Sequence, residues 1–253
     1  MRLALAQIDS STDLARNLAL IGARVDDAAA RGAEVVVFPE YAMYEKKVVD
    51  GTFADVAQPL VGPFATAVAG LARQHGVAVL AGMVEAHPDG GLPYNTLVGF
   101  DRDGTLAGRY RKIHLYDAYG FRESRWISRP DPPEHVVMTL AGARFGVMSC
   151  NDLRHPTVAA ALSEAGADVL AICASWVPGA HKVEQWRTLA RARAIENVIV
   201  AVGACQAPPV SIGTSLAIDP MGVVIDELPP APGLLVVDID EDATSRARAR
   251  AAM

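Results

Sequence analysis

Short β-branched runs alternate along the chain with Ala/Leu/Arg-rich stretches of helical period, and this alternation predicts an α/β protein. Strands are expected near 2–8, 34–38, 77–83, 95–101, 106–111, 135–140, 143–149, 168–174, 198–204, 214–219, 222–227 and 234–239. Helices are expected near 13–31, 63–75, 156–165, 183–196 and 241–251. Ser10, Ser11 and the following Thr12-Asp13 supply N-cap chemistry for the first helix, and Gly32 and Gly76 stand where helix-terminating glycines belong. Asp101-Arg102-Asp103-Gly104 and Asp219-Pro220-Met221-Gly222 are turn residues between strand-like runs, which predicts antiparallel hairpins inside the sheets. So many strands in 253 residues imply two sheets, and each must cover both of its faces. The expected fold is therefore a four-layer α-β-β-α sandwich of two mixed sheets. No repeat, low-complexity tract or Ser/Gly-rich linker interrupts the pattern, so residues 1–253 are expected to form one domain. The two least regular stretches, 41–62 and 116–135, read as loops over something rather than as boundaries.

Composition narrows the function classes. An apolar fraction of 51% can fill a large core. A formal charge of -6, spread without a long basic run, leaves no electrostatic footprint for nucleic acid. The N-terminal run Met1 to Ile8 carries one positive charge, is shorter than a signal-peptide core and meets Asp9, so it reads as a first strand. No apolar stretch reaches the roughly 20 residues of a membrane span, and a cytoplasmic protein is expected. The three cysteines, 150, 173 and 205, are odd in number and lack CxxC spacing, which fits neither a disulfide framework nor a structural zinc site. Cys173 and Cys205 sit in small apolar strand-like settings, where cysteine behaves as a buried hydrophobe; only Cys150 has polar company.

Three reactive groups fall at three strand ends. Val35-Val36-Val37-Phe38-Pro39-Glu40 is a buried strand stopped by a proline and followed by a carboxylate. Arg109 to His114 places Lys112 as another strand finishes, and Arg144 to Cys150 does the same with a thiol. Open α/β sheets build sites beyond the carboxyl ends of their strands, so convergence of the three is plausible. Taken singly, each has a plainer reading: Glu40 and Lys112 as solvated loop charges, Cys150 as a core cysteine. Grouped, they make chemical sense. A thiol near its ordinary pKa of about 8.5 is mostly protonated, and a carboxylate can take its proton if a nearby cation offsets the cost of burial. A lysine ammonium and a backbone N–H can then stabilise the oxyanion formed when the thiolate attacks an amide carbon. The same acid can protonate the departing amine and later deprotonate the hydrolytic water.

Phe-Pro-Glu at 38–40, Arg-Lys-Ile-His-Leu-Tyr-Asp at 111–117 and Cys-Asn-Asp-Leu-Arg-His-Pro at 150–156 resemble, in that order, the three signature blocks of the nitrilase superfamily of carbon–nitrogen hydrolases. Phe-Arg-Glu-Ser at 121–124 resembles the block that carries the family's second glutamate. Trp186, the run Arg191 to Asn197, Gly213-Thr214-Ser215 and the Asp219–Gly222 hairpin extend the likeness over nearly the whole chain. The resemblance implies an α-β-β-α sandwich, Cys150 as nucleophile, Glu40 as general base, Lys112 as oxyanion stabiliser, Glu123 as a second carboxylate beside the lysine, and the backbone N–H of Asn151 as a second oxyanion donor. It implies no cofactor and no metal, and it implies a homodimer or higher homo-oligomer. Glu123 has a competing reading as a surface ion pair with Arg122 or Arg125. Asp152 with Arg154, and Arg193 with Glu196, read as structural charge pairs, the latter at i,i+3 spacing on one helix face.

His114 and His155 raise a competing Cys–His mechanism, ranked lower because no orienting third residue is apparent; each reads better as a hydrogen-bonded structural histidine. Tyr44, Tyr119, Phe121, Trp126 and Trp176, with His114 and His155, are candidates for the substrate pocket. Nitrilases of the superfamily usually follow the nucleophile with tryptophan and glutamate, so Asn151-Asp152 disfavours a nitrile substrate. Many amidase branches carry Cys-Tyr-Asp, while Asn151 also resembles the Cys-Asn-Asp of carbamoyl-amino-acid hydrolases, whose paired arginines are Leu153 and Arg154 here. Thr157 replaces a family-like glutamate, and the segment between His114 and Glu123 is short. The favoured expectation is an amidase that, with water, hydrolyses a small linear amide, such as an ω-amide of a carboxylic acid. A carbamoyl hydrolase is the alternative, and a non-catalytic binding module of the same fold is less favoured.

Overall fold

The structure, a computed structural model, describes residues 1–240 and 242–251. Two six-stranded mixed sheets stack with helices outside them, the α-β-β-α arrangement expected from the strand count. The first sheet contains β1 (Arg2–Gln7), β2 (Val35–Val37), β3 (Ala78–Glu85), β4 (Tyr94–Phe100), β5 (Leu106–Arg111) and β12 (Gly233–Asp238), in the order β12-β1-β2-β3-β4-β5. The second contains β6 (Val136–Leu140), β7 (Ala143–Ser149), β8 (Val169–Ala174), β9 (Val200–Cys205), β10 (Leu216–Ile218) and β11 (Val224–Glu227), in the order β11-β10-β9-β8-β7-β6. In each sheet a parallel core of three strands, β1-β2-β3 and β7-β8-β9, is flanked by antiparallel strands. The helices are α1 (Leu14–Ala30), α2 (Thr52–Val56), α3 (Pro63–His75), α4 (Pro156–Glu164), α5 (Lys182–Asn197) and α6 (Ala243–Ala251).

The alternation of side chains along each strand decides which layer they fill. Leu3 and Leu5 of β1, Val35 and Val37 of β2 and Leu80 of β3 pack with Met138, Leu140 and Phe145 in the cluster that joins the sheets. The intervening Ala4, Ala6, Val36 and Val79 pack instead with Ile21, Val25 and Ala28 of α1 and with Val68 and Ala72 of α3. Because both faces are covered, β2 and β8 are apolar at every position, and their first polar residues come only after their ends.

Local signals behave as their chemistry predicts. Asp13 caps α1, its side chain accepting from the N–H groups of Ala15 and Arg16 at 3.0 Å each, and Gly76 ends α3 in the left-handed region at φ +62°. The two Asp/Gly turns connect the antiparallel pairs β4–β5 and β10–β11. Where expectation and structure differ, backbone geometry is the cause. The strand expected at 198–204 begins only at Val200, because Val198 closes α5 at φ +47°. The strand expected at 214–219 shrinks to Leu216–Ile218, because Thr214 at φ +57° cannot sit in a ladder. The segment 41–62, expected as loop, contains α2, and 116–135 contains one 3-10 turn at Glu123–Arg125. The last helix was expected from Glu241; that residue, with Ala252 and Met253, lies outside the described residues. Among the described residues no helix is long and apolar enough to cross a membrane.

Candidate active site

The carboxyl ends of β2, β5, β7 and β8 meet on one side of the sandwich, and each delivers one polar group to the same place. After β2, the chain turns at Pro39 and lies against β3, where the Gly82 N–H donates to the Pro39 carbonyl at 3.2 Å. A Cβ on Gly82 would stand 2.4 Å from the backbone nitrogen of Tyr41 and 2.7 Å from that carbonyl, so only glycine admits this approach. Glu40 follows, 1% exposed. Its Oε1 accepts from Lys112 Nζ (2.8 Å), Asn95 Nδ2 (2.7 Å) and Ser149 Oγ (3.1 Å), and its Oε2 from the Ser175 N–H (2.8 Å).

Lys112 is the first residue beyond β5, its N–H still bonded to the Asn95 carbonyl at 2.9 Å, and its side chain is 2% exposed. The ammonium donates at 2.8 Å to Glu40 and at 2.8 Å to Oε2 of Glu123. Glu123 is buried rather than paired with Arg122 or Arg125 at the surface. It also accepts from the Tyr41 hydroxyl (2.8 Å), Asn95 Nδ2 (2.9 Å) and the Tyr116 N–H (2.7 Å). Burial alone would neutralise the lysine, but the charges of Glu123 and Glu40 hold its pKa well above the usual value. Burial likewise works against Glu123, and the charge and hydrogen bond of Lys112 nevertheless keep its carboxyl below the ordinary range.

Cys150 follows β7 and opens a 3-10 turn, Cys150–Arg154, with φ at +41°, a strained value for a residue with a side chain. Asp152 clamps that turn: it accepts from the Ser149 N–H (2.8 Å), the Tyr110 hydroxyl (2.6 Å) and the His114 N–H (3.1 Å). The Cys150 Sγ lies 3.7 Å from the Ser175 carbonyl oxygen and shares a cavity of about 50 Å³ with Glu40, Lys112, Glu123, Glu45 and Phe121. Burial, then the charge of Glu40, push the thiol well above its usual pKa, with Lys112 pulling part of the way back. The resting sulfur is thus a protonated thiol with an acceptor network beside it. Asn151 is the second residue of the turn, where backbone N–H groups have no partner within the turn, and its side chain donates to the Leu115 carbonyl at 3.1 Å.

The remaining sequence candidates divide. Phe121 lines this cavity, and Trp176 lines a smaller adjoining one with Cys150, Asn151, Arg154 and Lys182. Tyr44 uses its hydroxyl on Thr52 (2.8 Å) and its ring edge-on against Phe53, so it does not line either cavity. Tyr119 is largely exposed over the Lys182 ammonium, and Trp126 packs over Gly51 beneath the Arg125 guanidinium. His114 and His155 stack on one another at 3.7 Å, with His114 Nδ1 3.0 Å from Asp152, and neither lines the cavities. The expected Asp152–Arg154 pair does not form. Asp152 is taken up by the turn, whereas Arg154 lies over the Trp176 ring and donates to Gln185 at 3.0 Å. Arg193 and Glu196 do pair, at 2.7 Å, and Arg193 also donates to the Leu153 carbonyl. Cys173 and Cys205 are fully buried free thiols.

Positioning residues that escaped the sequence reading include Asn95, Gly82 and Ser175, along with Ser149 and Tyr41. A polar Asn inside an otherwise apolar strand and a lone glycine inside another are the signals that mark the first two. Ser175 acts through its backbone, for which sequence holds no signal. Among the described residues no group of three or more His, Cys, Asp or Glu is arranged to hold a metal ion.

The sandwich, the strand-end cluster of thiol, two carboxylates and lysine, and the family comparison agree. The model of the carbon-nitrogen hydrolase family matches residues 2–249, and the chain belongs to that family. A hydrolase from Mycobacterium tuberculosis is 41% identical over 269 residues, covering 100% of this chain and 94% of its own. An omega-amidase NIT2 from Danio rerio is 31% identical, covering 94% of this chain and 88% of its own. Among solved structures, the amidase from Nesterenkonia sp. AN1, in a variant with acrylamide added to its active-site cysteine, superposes at TM-score 0.84. It is 26% identical, with 100% of this chain and 98% of that one covered.

Proposed function

We propose that this hydrolase cleaves a small linear amide, of the ω-amide-of-a-carboxylic-acid type, through a thioester on Cys150. The observation that carries the reading is the single cavity in which the Cys150 thiol meets Glu40 and Lys112, with Lys112 bonded at 2.8 Å to Glu40 and to Glu123. Glu40 takes the proton of the thiol as sulfur attacks the amide carbon. The oxygen becomes an oxyanion between the Lys112 ammonium and the Asn151 N–H. Glu40 then returns the proton to the departing ammonia or amine, leaving an acyl thioester, and afterwards deprotonates the water that hydrolyses it. Glu123 keeps the lysine charged and aimed, and the Ser175 N–H fixes the carboxylate of Glu40.

Size and charge support the substrate class. A cavity of about 50 Å³ admits a few water-sized groups at most. Next to it stand two cations, Arg154 and the 9% exposed Lys182, and among the described residues neither has a carboxylate partner. A distal substrate carboxylate would supply the missing countercharge. A carbamoyl amino acid, the second reading, would offer the same carboxylate and fits Asn151 after the nucleophile. The enzyme is inferred to act in the cytoplasm as a homodimer, which sizing in solution checks.

The test is an ammonia assay over uncharged amides, carboxylate-bearing amides, carbamoyl amino acids and nitriles, with mass spectrometry of quenched reactions. Carboxylate-bearing amides should turn over fastest and leave an acyl mass on Cys150, and Cys150→Ala should release no ammonia. Turnover retained in that variant would sink the mechanism, and carbon dioxide released together with ammonia would select the carbamoyl reading.

A further inference from the structure

One carboxyl group in the cavity wall has no part in the mechanism above. Glu45 lies five residues beyond Glu40, its backbone N–H pinned to the Ser11 carbonyl at 3.0 Å, and its side chain is 3% exposed. It lines the same cavity as Cys150, Lys112 and Phe121. Oε1 accepts from the Lys46 N–H at 2.7 Å, but Oε2, buried as well, has no hydrogen-bond partner. A buried polar atom left unmatched costs free energy, so an orphan on the wall of a substrate cavity points to a ligand atom that completes it.

The surroundings decide whether Oε2 donates or accepts. Around Glu45 stand Glu40 and Tyr41 on its own loop, Glu123 from the 3-10 turn, Lys112 beyond β5, Cys150 after β7 and Cys205 at the end of β9. The buried Lys112 is already bonded to two carboxylates, and the Lys46 ammonium is paired with Asp50. Lys47 and Arg122 also line the cavity, but among the described residues no cation forms an ion pair with Glu45, and a lone buried carboxylate is strongly disfavoured. The group is therefore a neutral acid. Since Oε1 is the oxygen that accepts, Oε2 carries the hydrogen.

We propose that Glu45 is a specificity-determining residue: its Oε2–H donates a hydrogen bond to an acceptor oxygen on the acyl part of the amide that Cys150 attacks. The proposal rests on the amidase reading and narrows it, because the preferred acyl group then carries a carbonyl, hydroxyl or carboxylate oxygen rather than a plain alkyl chain or an ammonium. Burial, with repulsion from Glu40 and Glu123 and a partial offset from the nearby Ser175 hydroxyl, raises the carboxyl to about 8. The donor is thus present at neutral pH, and as pH rises through about 8 it becomes a carboxylate that repels an acceptor.

Binding reads this separately from turnover. The Cys150→Ala protein is titrated calorimetrically with a matched set: an amide bearing a carboxylate or keto oxygen in its acyl chain, its hydrocarbon isostere, and an analogue with a terminal amine. The acceptor-bearing amide should bind about 3- to 10-fold more tightly than the isostere at pH 7, and up to about tenfold more weakly at pH 9. Adding Glu45→Gln, which keeps an N–H donor but does not titrate, should flatten that pH dependence and keep the preference; Glu45→Leu should abolish the preference. Equal binding of oxygen-bearing and hydrocarbon amides, tightest binding by the amine, or the same pH profile with Gln at position 45 would each overturn the proposal. Ammonia release by the unmodified enzyme judges the amidase reading on its own.

Discussion

Replacing Lys112 by methionine isolates the central charge of the site. Methionine is unbranched and of similar length, so the change removes the ammonium and opens little space. The ammonium bonds two carboxylates at 2.8 Å each and is 2% exposed. Breaking a buried ion pair from one side costs about 3–5 kcal/mol, because the partner charge is left uncompensated. Against an overall stability of roughly 5–15 kcal/mol, the variant should still fold. Its pH dependence should carry the signature of the lost charge. In the native protein Glu123 is held below the ordinary carboxylate range, so its contribution is present above the unfolded value of about 4.3 and is lost as pH falls. Without the lysine, Glu40 and Glu123 face each other across the shared Nδ2 of Asn95, and one of them must be raised. A raised carboxyl destabilises progressively as pH climbs above about 4.3. The deficit should therefore be full at pH 7, shrink as pH falls toward about 4.3 and close only below that value, as measured by urea unfolding across the range. With Lys112 as the proposed oxyanion donor, activity should fall by about 100- to 1,000-fold. Adding Glu123→Gln should return part of the stability and none of the activity. A deficit under about 1 kcal/mol at pH 7, or one that does not shrink toward acid, would refute the charge assignment.

Two further substitutions probe how the site is held. Asn95→Ala removes a donor that serves Glu40 and Glu123 at once, at 2.7 and 2.9 Å, and should cost about 1.5–3 kcal/mol by denaturant titration, with a fall in kcat larger than any rise in KM. Gly82→Ala puts a methyl group 2.4 Å from the Tyr41 nitrogen and must push the Pro39–Tyr41 segment off β3. A displacement of about 1 Å there should lower kcat on the order of 100-fold, checked by steady-state kinetics beside a melting curve showing the protein still folded.

The sandwich was legible because burial on both faces leaves its mark on composition: β2 reads Val-Val-Val and β8 Val-Leu-Ala-Ile-Cys-Ala, unbroken by any polar residue. The placement of the candidate side chains was legible for the same reason, since Glu40, Lys112 and Cys150 each stand at or just beyond the point where an apolar strand stops. What held them was less so. A hydrogen bond from a backbone N–H, such as that of Ser175 to Glu40, is invisible to residue identity. The orientation of Arg154 was misjudged because proximity in sequence to Asp152 suggested a pair. Within a tight turn the carboxylate is instead consumed by the backbone of Ser149 and His114, and the guanidinium is free to stack on Trp176. Glu45 passed unnoticed because a glutamate in an irregular stretch is by default a solvated one, and only the packing of the 41–62 loop buries it.

The same geometry explains how a glutamate could serve where many thiol enzymes use histidine. A histidine base stabilises the thiolate by becoming a cation beside it, and the ion pair can form before substrate arrives. Here the proposed base, Glu40, is an anion, and its charge pushes the Cys150 thiol up rather than down. Prior ionisation of the sulfur would gather three negative charges, on Glu40, Glu123 and Cys150, around one lysine. Proton transfer from sulfur to Glu40 instead leaves the number of negative charges unchanged, and the new charge on sulfur passes to the amide oxygen as the bond forms. That oxygen is the atom proposed to meet Lys112. Attack and proton transfer are therefore expected to be coupled, so the free enzyme should alkylate slowly with iodoacetamide at neutral pH while small amides still acylate it. Both imidazoles near the turn lie outside this circuit, stacked on each other, and that of His114 rests on Asp152, whose carboxylate also clamps the turn that Cys150 opens at its strained φ.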